Sequence, residues 1–410
     1  MLGKLIWFEM KKSLGGKFFP IAVCLLVIVN MVLMCGYVEY QETLKMIERW
    51  GGEKISYWEY ARQNRQSTVS RARTYAAIAD LTPEDIAGFK TYITAKYGEE
   101  IFDPFAGVFV TDVYNNYFGH ISDNDMVFYL MDLEKRNAQS QESLETIVDA
   151  ANYYVQKAER ELDSYGVRRN QDIIRLYSLP RREITGRVVN WDDVLFDTPT
   201  MLLVFLLTLL ACADSFTGER DRQTLLLLHT SKNGKGKTLA AKYLAGILTA
   251  AGLTVLFQLS SVFATWFKGG LAGLGEPVTA LEALRAFPLP AAMWQYVLLE
   301  LGCQIFAAAV LAVLLTTVST LSKSGVVSYA AGAILLGGCL LLYYYPPRSE
   351  WLAGPLSLAN PLKYFSSYYT ANIFGLPVLW AVVQAMLWSV IGAGCVILAQ
   401  KVYHRIRGAV

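Results

Sequence analysis

The chain of 410 residues has little of what most enzyme sites are built from. Its three histidines lie in three different segments, without a His-Glu-x-x-His pattern, and no serine stands in a G-x-S-x-G context. All six cysteines lie in or beside apolar runs, and none belongs to a Cys-x-x-Cys pair. The sequence therefore gives no support for a metal hydrolase, a serine hydrolase or a disulfide framework, and we interpret the cysteines as small apolar packing residues.

Charged residues are also scarce, at 18%, whereas hydrophobic residues make up 54% of the chain. Apolar runs approaching 20 residues are long enough to cross a bilayer as helices. We count about six such runs, and we expect the second to start earlier, near Trp191: Phe18–Tyr37, 199–213, 240–267, Met293–Leu321, 325–345 and 377–399. The sequence therefore predicts an all-α polytopic membrane protein with about six transmembrane helices.

The distribution of Lys and Arg predicts the orientation of these spans. Residues 1–17, 214–239, 322–324 and 401–410 carry an excess of Lys and Arg, whereas residues 268–292 and 346–376 are nearly balanced. Short basic segments stay on the cytoplasmic side, so we expect both termini in the cytoplasm and a bacterial-type inner (plasma) membrane. The first run lacks a small-x-small cleavage site, which favours an uncleaved span preceded by an interfacial helix.

These runs divide the chain into three parts. Residues 1–37 hold the interfacial helix and the first span, residues 38–196 an extracytoplasmic insertion, and residues 197–410 the other spans, with a cytoplasmic coupling loop at 214–239. The insertion contains 19 basic and 26 acidic residues, no cysteine, and apolar residues at helical spacing. Thr82 followed by Pro83 predicts a helix start. We expect a separate, mainly helical domain whose frequent aromatic residues form a small core or a partner surface.

The coupling loop begins with charges and continues with four leucines. The cluster from Glu219 to Arg222 has two interpretations: a solvated group of charges beside the membrane, or a helix that docks into a groove on a cytoplasmic protein. In the second case the leucines would anchor the helix and the charges would surround them.

Residues 231–238, SKNGKGKT, resemble a phosphate-binding loop but lack features that such a loop requires. Ser231 stands where the first glycine is required, and a membrane span follows at once. Without that glycine and a preceding buried strand, the cradle of backbone N–H groups is not built. We therefore expect no nucleotide or other cofactor in this chain, and a polar turn whose lysines face anionic lipid headgroups.

Polar residues inside the predicted spans are few. Glu300 is the one acid well inside a span. Together with three glutamines it could line a polar cavity, so the four candidate cavity-lining residues are Gln258, Glu300, Gln304 and Gln384. An acid within a membrane span marks a functional site by default. The alternative is that Glu300 lies near a helix end, at the level of the outer headgroups.

Several of these segments together resemble the permease subunits of type-2 ATP-binding-cassette exporters. The resemblance lies in Phe216-Thr217-Gly218-Glu219-Arg220 after the second span, the leucine run, the basic glycine turn, and Ala240-Ala241-Lys242 opening the third span. Residues 358–365 look like the re-entrant stretch of that family, and residues 2–14 look like its interfacial helix. The insertion at 38–196 departs from the family, because many members have a short connection there.

The resemblance implies a transport subunit without catalytic residues, coupled to a separate cytoplasmic ATPase. The residues implied in ATPase coupling are Phe216, Gly218, Glu219, Arg220, Arg222, Leu225, Leu226, Leu227 and Leu228, and those of the interfacial helix are Trp7, Glu9, Lys11 and Lys12. It further implies a second permease chain, identical or paralogous, contact with membrane lipid, and export of an amphiphile, peptide, drug or lipid-like substrate. We expect no nucleic-acid partner.

Two other functions remain open from the sequence. The insertion could bind a ligand or partner in a membrane sensor or scaffold that does not transport, but such a protein is expected to carry a cytoplasmic output domain or a long tail. A membrane-embedded transferase would require clustered His, Asp or Ser side chains at an interface, and the sequence shows none.

Overall fold

The computed structural model describes residues 2–16, 18–50, 56–79, 81–98, 117, 123–196, 198–221, 236–345 and 354–405. Up to the second span the helices are α1 (Leu2–Leu14), α2 (Phe18–Val32), α3 (Val38–Trp50), α4 (Tyr57–Ala79), α5 (Pro83–Tyr97), α6 (Asp123–Arg160) and α7 (Ser164–Tyr177). A π-helical turn, Leu33–Tyr37, connects α2 to α3. The later helices are α8 (Trp191–Leu195), α9 (Thr198–Cys212), α10 (Thr217–Asp221), α11 (Lys237–Gly269), α12 (Met293–Leu321), α13 (Gly325–Tyr344), α14 (Leu362–Phe365) and α15 (Trp380–Arg405).

Among these residues, six helical segments are long and apolar enough to cross a membrane. They are Phe18–Tyr37, Trp191–Asp221, Lys237–Gly269, Met293–Leu321, Gly325–Tyr343 and Trp380–Tyr403. The prediction of about six spans in a mainly helical membrane protein is confirmed, and the second span begins at Trp191, as expected.

The connections between these segments gather at two opposite ends of the helix bundle. At one end, Glu9 of α1 contacts Lys242 near the start of α11, and Arg220 of α10 contacts Ser322 after α12. At the other end, α7 contacts the α11–α12 connection, where its last residue, Tyr177, donates a hydrogen bond to the Ala286 carbonyl over 2.6 Å. This alternation fits a chain that crosses the bundle six times.

The insertion has a small helical core of its own. Thr82 and Asp85 form a capping box at the start of α5, which confirms the predicted helix start, and the hydrogen bonds from Thr82 lower the pKa of Asp85. Helices α4, α5 and α6 enclose a core that includes Ile78, Phe89, Ile93, Met126, Val127 and Leu130. The aromatic residues at 102–114 lie outside the described residues.

The last part of the insertion packs onto the transmembrane part, which differs from the expectation of a separate domain. Ile184, Val188 and Trp191 share a buried core with Val278, Leu284, Phe287 and Tyr296 of the α11–α12 connection and α12. The Trp191 ring N–H donates to the Ala272 carbonyl over 3.0 Å. These apolar side chains are removed from water because they pack against the α11–α12 connection. The last residues of the insertion therefore share a hydrophobic core with the transmembrane part.

Before the last span, the predicted re-entrant stretch forms two short buried helical turns, a 3₁₀ turn at Pro355–Ala359 and α14. A two-stranded antiparallel hairpin, β1 (Thr370–Ile373) and β2 (Leu376–Leu379), then follows, which the all-α expectation did not include. Its two-residue loop has positive φ at both Phe374 (51°) and Gly375 (81°), as a type I′ turn requires.

The hairpin is held by the insertion. Tyr165 of α7 donates its hydroxyl to the Thr370 carbonyl over 3.1 Å, and Tyr368 donates to Asp172 over 3.2 Å. Burial and the neighbouring Asp172 carboxylate raise the pKa of Tyr368 to about 12, so this hydroxyl keeps its proton at neutral pH. The insertion, the re-entrant stretch and the start of the last span therefore form one packed end of the molecule.

Candidate functional site

At the end of the bundle that holds α1, a buried lysine joins three segments that are far apart in sequence. The Lys242 side chain has no exposed surface. Its ammonium nitrogen lies 2.9 Å from a Glu9 carboxylate oxygen, 2.7 Å from a Glu219 carboxylate oxygen and 2.7 Å from the Ser215 carbonyl oxygen. Three acceptors match the three protons of an ammonium group, so the donors of Lys242 are fully used.

A fourth charge completes this cluster, because Lys12 of α1 forms an ion pair with the same Glu219 carboxylate oxygen. We call Glu9, Lys12, Glu219 and Lys242 the charge cluster. It contains two positive and two negative side chains, and all but Lys12 are nearly or fully removed from solvent. Charges that leave water must be paired and hydrogen-bonded to be tolerated, and here the pairing partners come from α1, α10 and α11.

Local structure explains why Lys242 points to this place. It lies in the second turn of α11, where one helical face packs against α1 and the chain leaving α9. The Ser215 carbonyl follows the C-terminus of α9, where the helix dipole favours a cation. The Phe216 ring lies 5.0 Å from the ammonium nitrogen and adds a cation–π contact.

The opposite side of α10 is fixed to the turn between α12 and α13. The Arg220 guanidinium donates to the carbonyls of Ser322 and Thr320, which lie at the C-terminal end of α12. The Asp221 carboxylate accepts the Gly325 N–H, at the start of α13, over 3.1 Å. Both side chains satisfy backbone groups that a helix end leaves without partners. Helix α10 is therefore connected to α1, α11, α12 and α13 at once.

Phe216 extends these connections to the last span. Its ring packs at 5.8 Å and 69° against Tyr403 of α15, inside a buried cluster with Leu239, Tyr243 and Ala399. Gly218 is equally constrained, since a Cβ atom there would lie 2.7 Å from an Asp214 carboxylate oxygen. A side chain at this position would collide with that carboxylate.

The residues implied in ATPase coupling therefore fall into two groups, those that are buried within this chain and those that lie outside the described residues. Phe216, Gly218 and Glu219 are buried within this chain, so they anchor α10 and do not themselves present a surface. Arg222 and the leucines Leu225, Leu226, Leu227 and Leu228 lie outside the described residues, so their predicted role stays a prediction.

The interfacial helix α1 is divided in the same way. Glu9 is buried in the charge cluster, whereas Trp7 is 67% exposed and Lys11 points to solvent. A helix with an anchored acidic side and an exposed aromatic and basic side fits a position at a membrane surface, as the sequence predicts.

Three of the four candidate cavity-lining residues form a second polar group, at the other end of α12. Gln258 donates to Gln304 over 2.6 Å, and Gln304 donates to Glu300 over 3.0 Å. Glu300 and Gln304 line a cavity of about 20 Å³ together with Tyr343 and Asn360, and Gln384 is buried elsewhere, in α15. Such a cavity has room for about one water molecule, which is too small for an amphiphile in this conformation.

Sequence reasoning missed two polar features. Lys242 was noted as part of the start of a span, but its position inside an apolar run was itself the signal of a buried, paired charge. The second is Asn30 of α2, which is fully buried and donates to the Ser260 and Ser261 hydroxyls over 2.9 Å each, while its carbonyl accepts from Thr200 over 2.6 Å. It connects α2 to α9 and α11 in the interior of the bundle.

A search of the described residues finds no group of three or more His, Cys, Asp and Glu side chains that could hold a metal ion. A family model described as ABC-2 family transporter protein matches residues 4–372, a range that begins in α1, includes α10 and ends in β1. No curated protein and no solved structure matches the chain. Because the matched range covers most of the 410 residues, the chain belongs to the ABC-2 family transporter proteins and is a membrane permease subunit of an ABC transporter.

Proposed function

We propose that this permease is the transmembrane subunit of an ATP-driven exporter, and that a separate ATPase acts on the end of the bundle that carries α1 and α10. The observation behind this proposal is the connectivity of α10. Glu219 and Arg220 of this short helix, together with Phe216 immediately before it, contact α1, α11, the α12–α13 turn and α15. A displacement of α10 would be transmitted to most of the spans, because packed elements move as units.

The segments that the sequence predicts on this side, residues 1–17, 214–239, 322–324 and 401–410, carry the excess of Lys and Arg. By the distribution of charge this end faces the cytoplasm, where ATP is available, and the insertion of residues 38–196 faces the exterior. The permease would act with a second copy or a paralogue, and its substrate would be an amphiphile, peptide, drug or lipid-like molecule. ATP would be bound and hydrolysed by the partner ATPase, and this chain would hold no cofactor.

Two measurements test this proposal. The chain is co-expressed with an ATP-binding-cassette ATPase encoded in the neighbouring reading frame, purified through a tag on the permease, and reconstituted into lipid vesicles. We expect the ATPase to co-purify and its ATP turnover to exceed that of the ATPase alone. Failure of any ATPase to co-purify would contradict the proposal.

The second measurement uses Glu219→Ala. Loss of this carboxylate leaves Lys242 and Lys12 with fewer partners and frees α10 from α11, so stimulation of ATP turnover is expected to fall although the chain still inserts. Glu282→Ala is the matched control, because Glu282 is exposed and lies at the opposite end of the bundle. Equal stimulation in both variants would remove Glu219 from the coupling mechanism.

A further inference from the structure

An arginine-rich stretch stands out in the acidic insertion. Residues 60–79 contain four arginines and no Asp or Glu, although the insertion as a whole has an acidic excess. These residues fall on α4, which follows the first span and α3 in the chain. A concentration of positive charge on one helix of an acidic region indicates an anionic partner.

Two contacts place α4 relative to the ends of the spans. Near its start, the Tyr57 hydroxyl donates to the Val32 carbonyl over 3.5 Å, and Val32 lies inside the span Phe18–Tyr37. Eight residues later, the Arg65 guanidinium lies 4.3 Å from the centroid of the Phe267 ring, close to the end of the span Lys237–Gly269. Eight residues of helix rise about 12 Å. The first half of α4 therefore lies beside the last residues of both spans.

Aromatic side chains surround the base of α4 at this level. Trp58 is 77% exposed, and its ring belongs to a group with Tyr37, Tyr40 and Tyr57 whose neighbouring centroids lie 5.3–6.3 Å apart. Trp266, at the end of α11, is also largely exposed. Exposed Trp and Tyr at the ends of spans are typical of the membrane–water interface. The arginines therefore begin where lipid headgroups are expected.

A groove of about 640 Å³ runs along α4 above these rings. Its lining includes Arg62, Arg65, Gln66, Ser70, Arg73 and Thr74, and we call it the α4 groove. None of the ion pairs within the described part of the chain involves its three arginines. A guanidinium group presents a fork of N–H donors that matches the oxygens of a phosphate, and amide and hydroxyl groups beside it add single donors.

We propose that the α4 groove binds the phosphate headgroups of anionic phospholipids in the leaflet on this side of the membrane. Arg62 and Arg65 meet the phosphates at the ends of the spans, and Arg73 lies about 12 Å farther along the helix, at the outer edge of the headgroup layer. The aromatic group anchors the base of α4 in the interface. Bound lipid would fix the insertion to the bilayer, and this role does not depend on ATP or on the exported substrate.

The test is a lipid competition measured on the full chain. The protein is purified in detergent, supplied with equal amounts of phosphatidylglycerol and phosphatidylcholine, and the lipids retained are counted by native mass spectrometry. The wild-type chain is expected to retain phosphatidylglycerol preferentially. Each basic side chain near an anionic surface changes affinity about five-fold, so Arg62→Gln/Arg65→Gln is expected to weaken phosphatidylglycerol binding by about 25-fold at low salt. Raising the salt concentration should remove the preference in the wild type.

Two variants separate charge from packing. Arg62→Lys/Arg65→Lys keeps both charges and a cation over the Phe267 ring, and it is expected to retain most of the preference for phosphatidylglycerol. Arg62→Gln alone, which leaves the Arg65–Phe267 contact in place, is expected to weaken binding about five-fold. The matched control is Arg160→Gln/Arg175→Gln, which removes the same charge from exposed positions on α6 and α7 and should leave lipid binding unchanged.

Three outcomes would overturn the proposal. The first is equal retention of the two lipids by the wild type. The second is loss of phosphatidylglycerol in the control double variant to the same extent as in the α4 variant. The third is evidence that the groove holds an occupant other than a phospholipid. Displacement of bound phosphatidylglycerol by free glycerol phosphate would assign the groove to a soluble phosphate. A change from dimer to monomer in Arg62→Gln/Arg65→Gln, without a change in lipid binding, would assign it to a second copy of the chain.

Discussion

The Lys242 ammonium nitrogen lies 2.7 Å from a Glu219 carboxylate oxygen, and the two residues belong to α11 and α10, the helices on either side of residues 222–236. Their contact joins the two described ends of the coupling loop, because Glu219 lies in α10, after the second span, and Lys242 lies in the second turn of α11. If a partner ATPase acts on this loop, as proposed above, we expect this pair and the hydrogen bonds of Arg220 to transmit the displacement to the spans.

Substitution of Lys242 tests how much the charge cluster contributes to the free energy of unfolding. Lys242→Met keeps the length of the side chain but leaves the buried Glu9 carboxylate without its cation. Removing one partner of a buried ion pair costs about 3–5 kcal/mol. We expect a correspondingly large fall in the free energy of unfolding, measured as a lower Tm of the chain in detergent.

Two companion variants control for this effect. Lys268→Met removes a lysine from the other end of the same helix, where the partner carboxylate of Asp193 is 36% exposed, so the fall in Tm should be smaller than for Lys242→Met. Lys242→Met/Glu9→Gln also removes the orphaned carboxylate while Glu219 keeps Lys12, so most of the lost stability should return. Equal Tm values for Lys242→Met and Lys268→Met would show that the cluster is not a structural junction.

Asn30 should contribute a smaller amount, within the membrane region. Asn30→Ala removes the hydrogen bonds to Thr200, Ser260 and Ser261 that attach α2 to the bundle. Interhelical hydrogen bonds in membranes contribute about 0.6 kcal/mol each on average, so a loss of about 1–2 kcal/mol is expected in a thermal unfolding measurement. Ile28→Ala, at an exposed position on the same helix, should have almost no effect, and a loss of stability larger than that of Asn30→Ala would refute the attachment role of Asn30.

The spans could be predicted from sequence because each is determined by a local property, the length of an apolar run. The start of α5 at Thr82 is similarly local. The charge cluster was not predictable as a cluster, since Glu9 and Lys242 are separated by 233 positions and only packing of α1 on α11 brings them together. The β hairpin was missed because its turn places a phenylalanine, Phe374, at positive φ, where Gly or Asn is the usual signal.

The lookalike of a phosphate-binding loop gives a negative prediction. Residues 231–235 lie outside the described residues, and Lys237 begins α11, a candidate span. Because Ser231 replaces the required first glycine, the purified chain should show no saturable ATP binding, and Lys237→Ala should change nothing. Equilibrium dialysis with labelled ATP checks this. Micromolar binding to the wild type that disappears in Lys237→Ala would place a nucleotide site in this chain.

Replacement of the insertion tests its role, and the structure decides where to cut. Excision of residues 42–192 would remove Ile184, Val188 and Trp191 from a core shared with the α11–α12 connection. Loss of a buried tryptophan alone costs about 3–5 kcal/mol, so this variant should be unstable. Excision of residues 42–178 keeps that core and the hydrogen bond from Arg181 to the Phe287 carbonyl. A Gly/Ser linker of about ten residues, which reaches roughly 16–19 Å, would close the gap.

The shorter excision then distinguishes two roles for the insertion. It leaves α1, α10 and the charge cluster untouched, so the variant should insert and still bind its ATPase. If the insertion recruits or gates substrate, efflux of fluorescent amphiphiles from loaded vesicles should fall while the permease stays dimeric by mass photometry. If the insertion is instead a cap that stabilises the dimer, both the dimer and efflux should be lost. A truncated permease that remains dimeric and transports at the wild-type rate would contradict both roles, because the contacts of Tyr165 with the hairpin and of Tyr177 with the α11–α12 connection would then serve neither transport nor assembly.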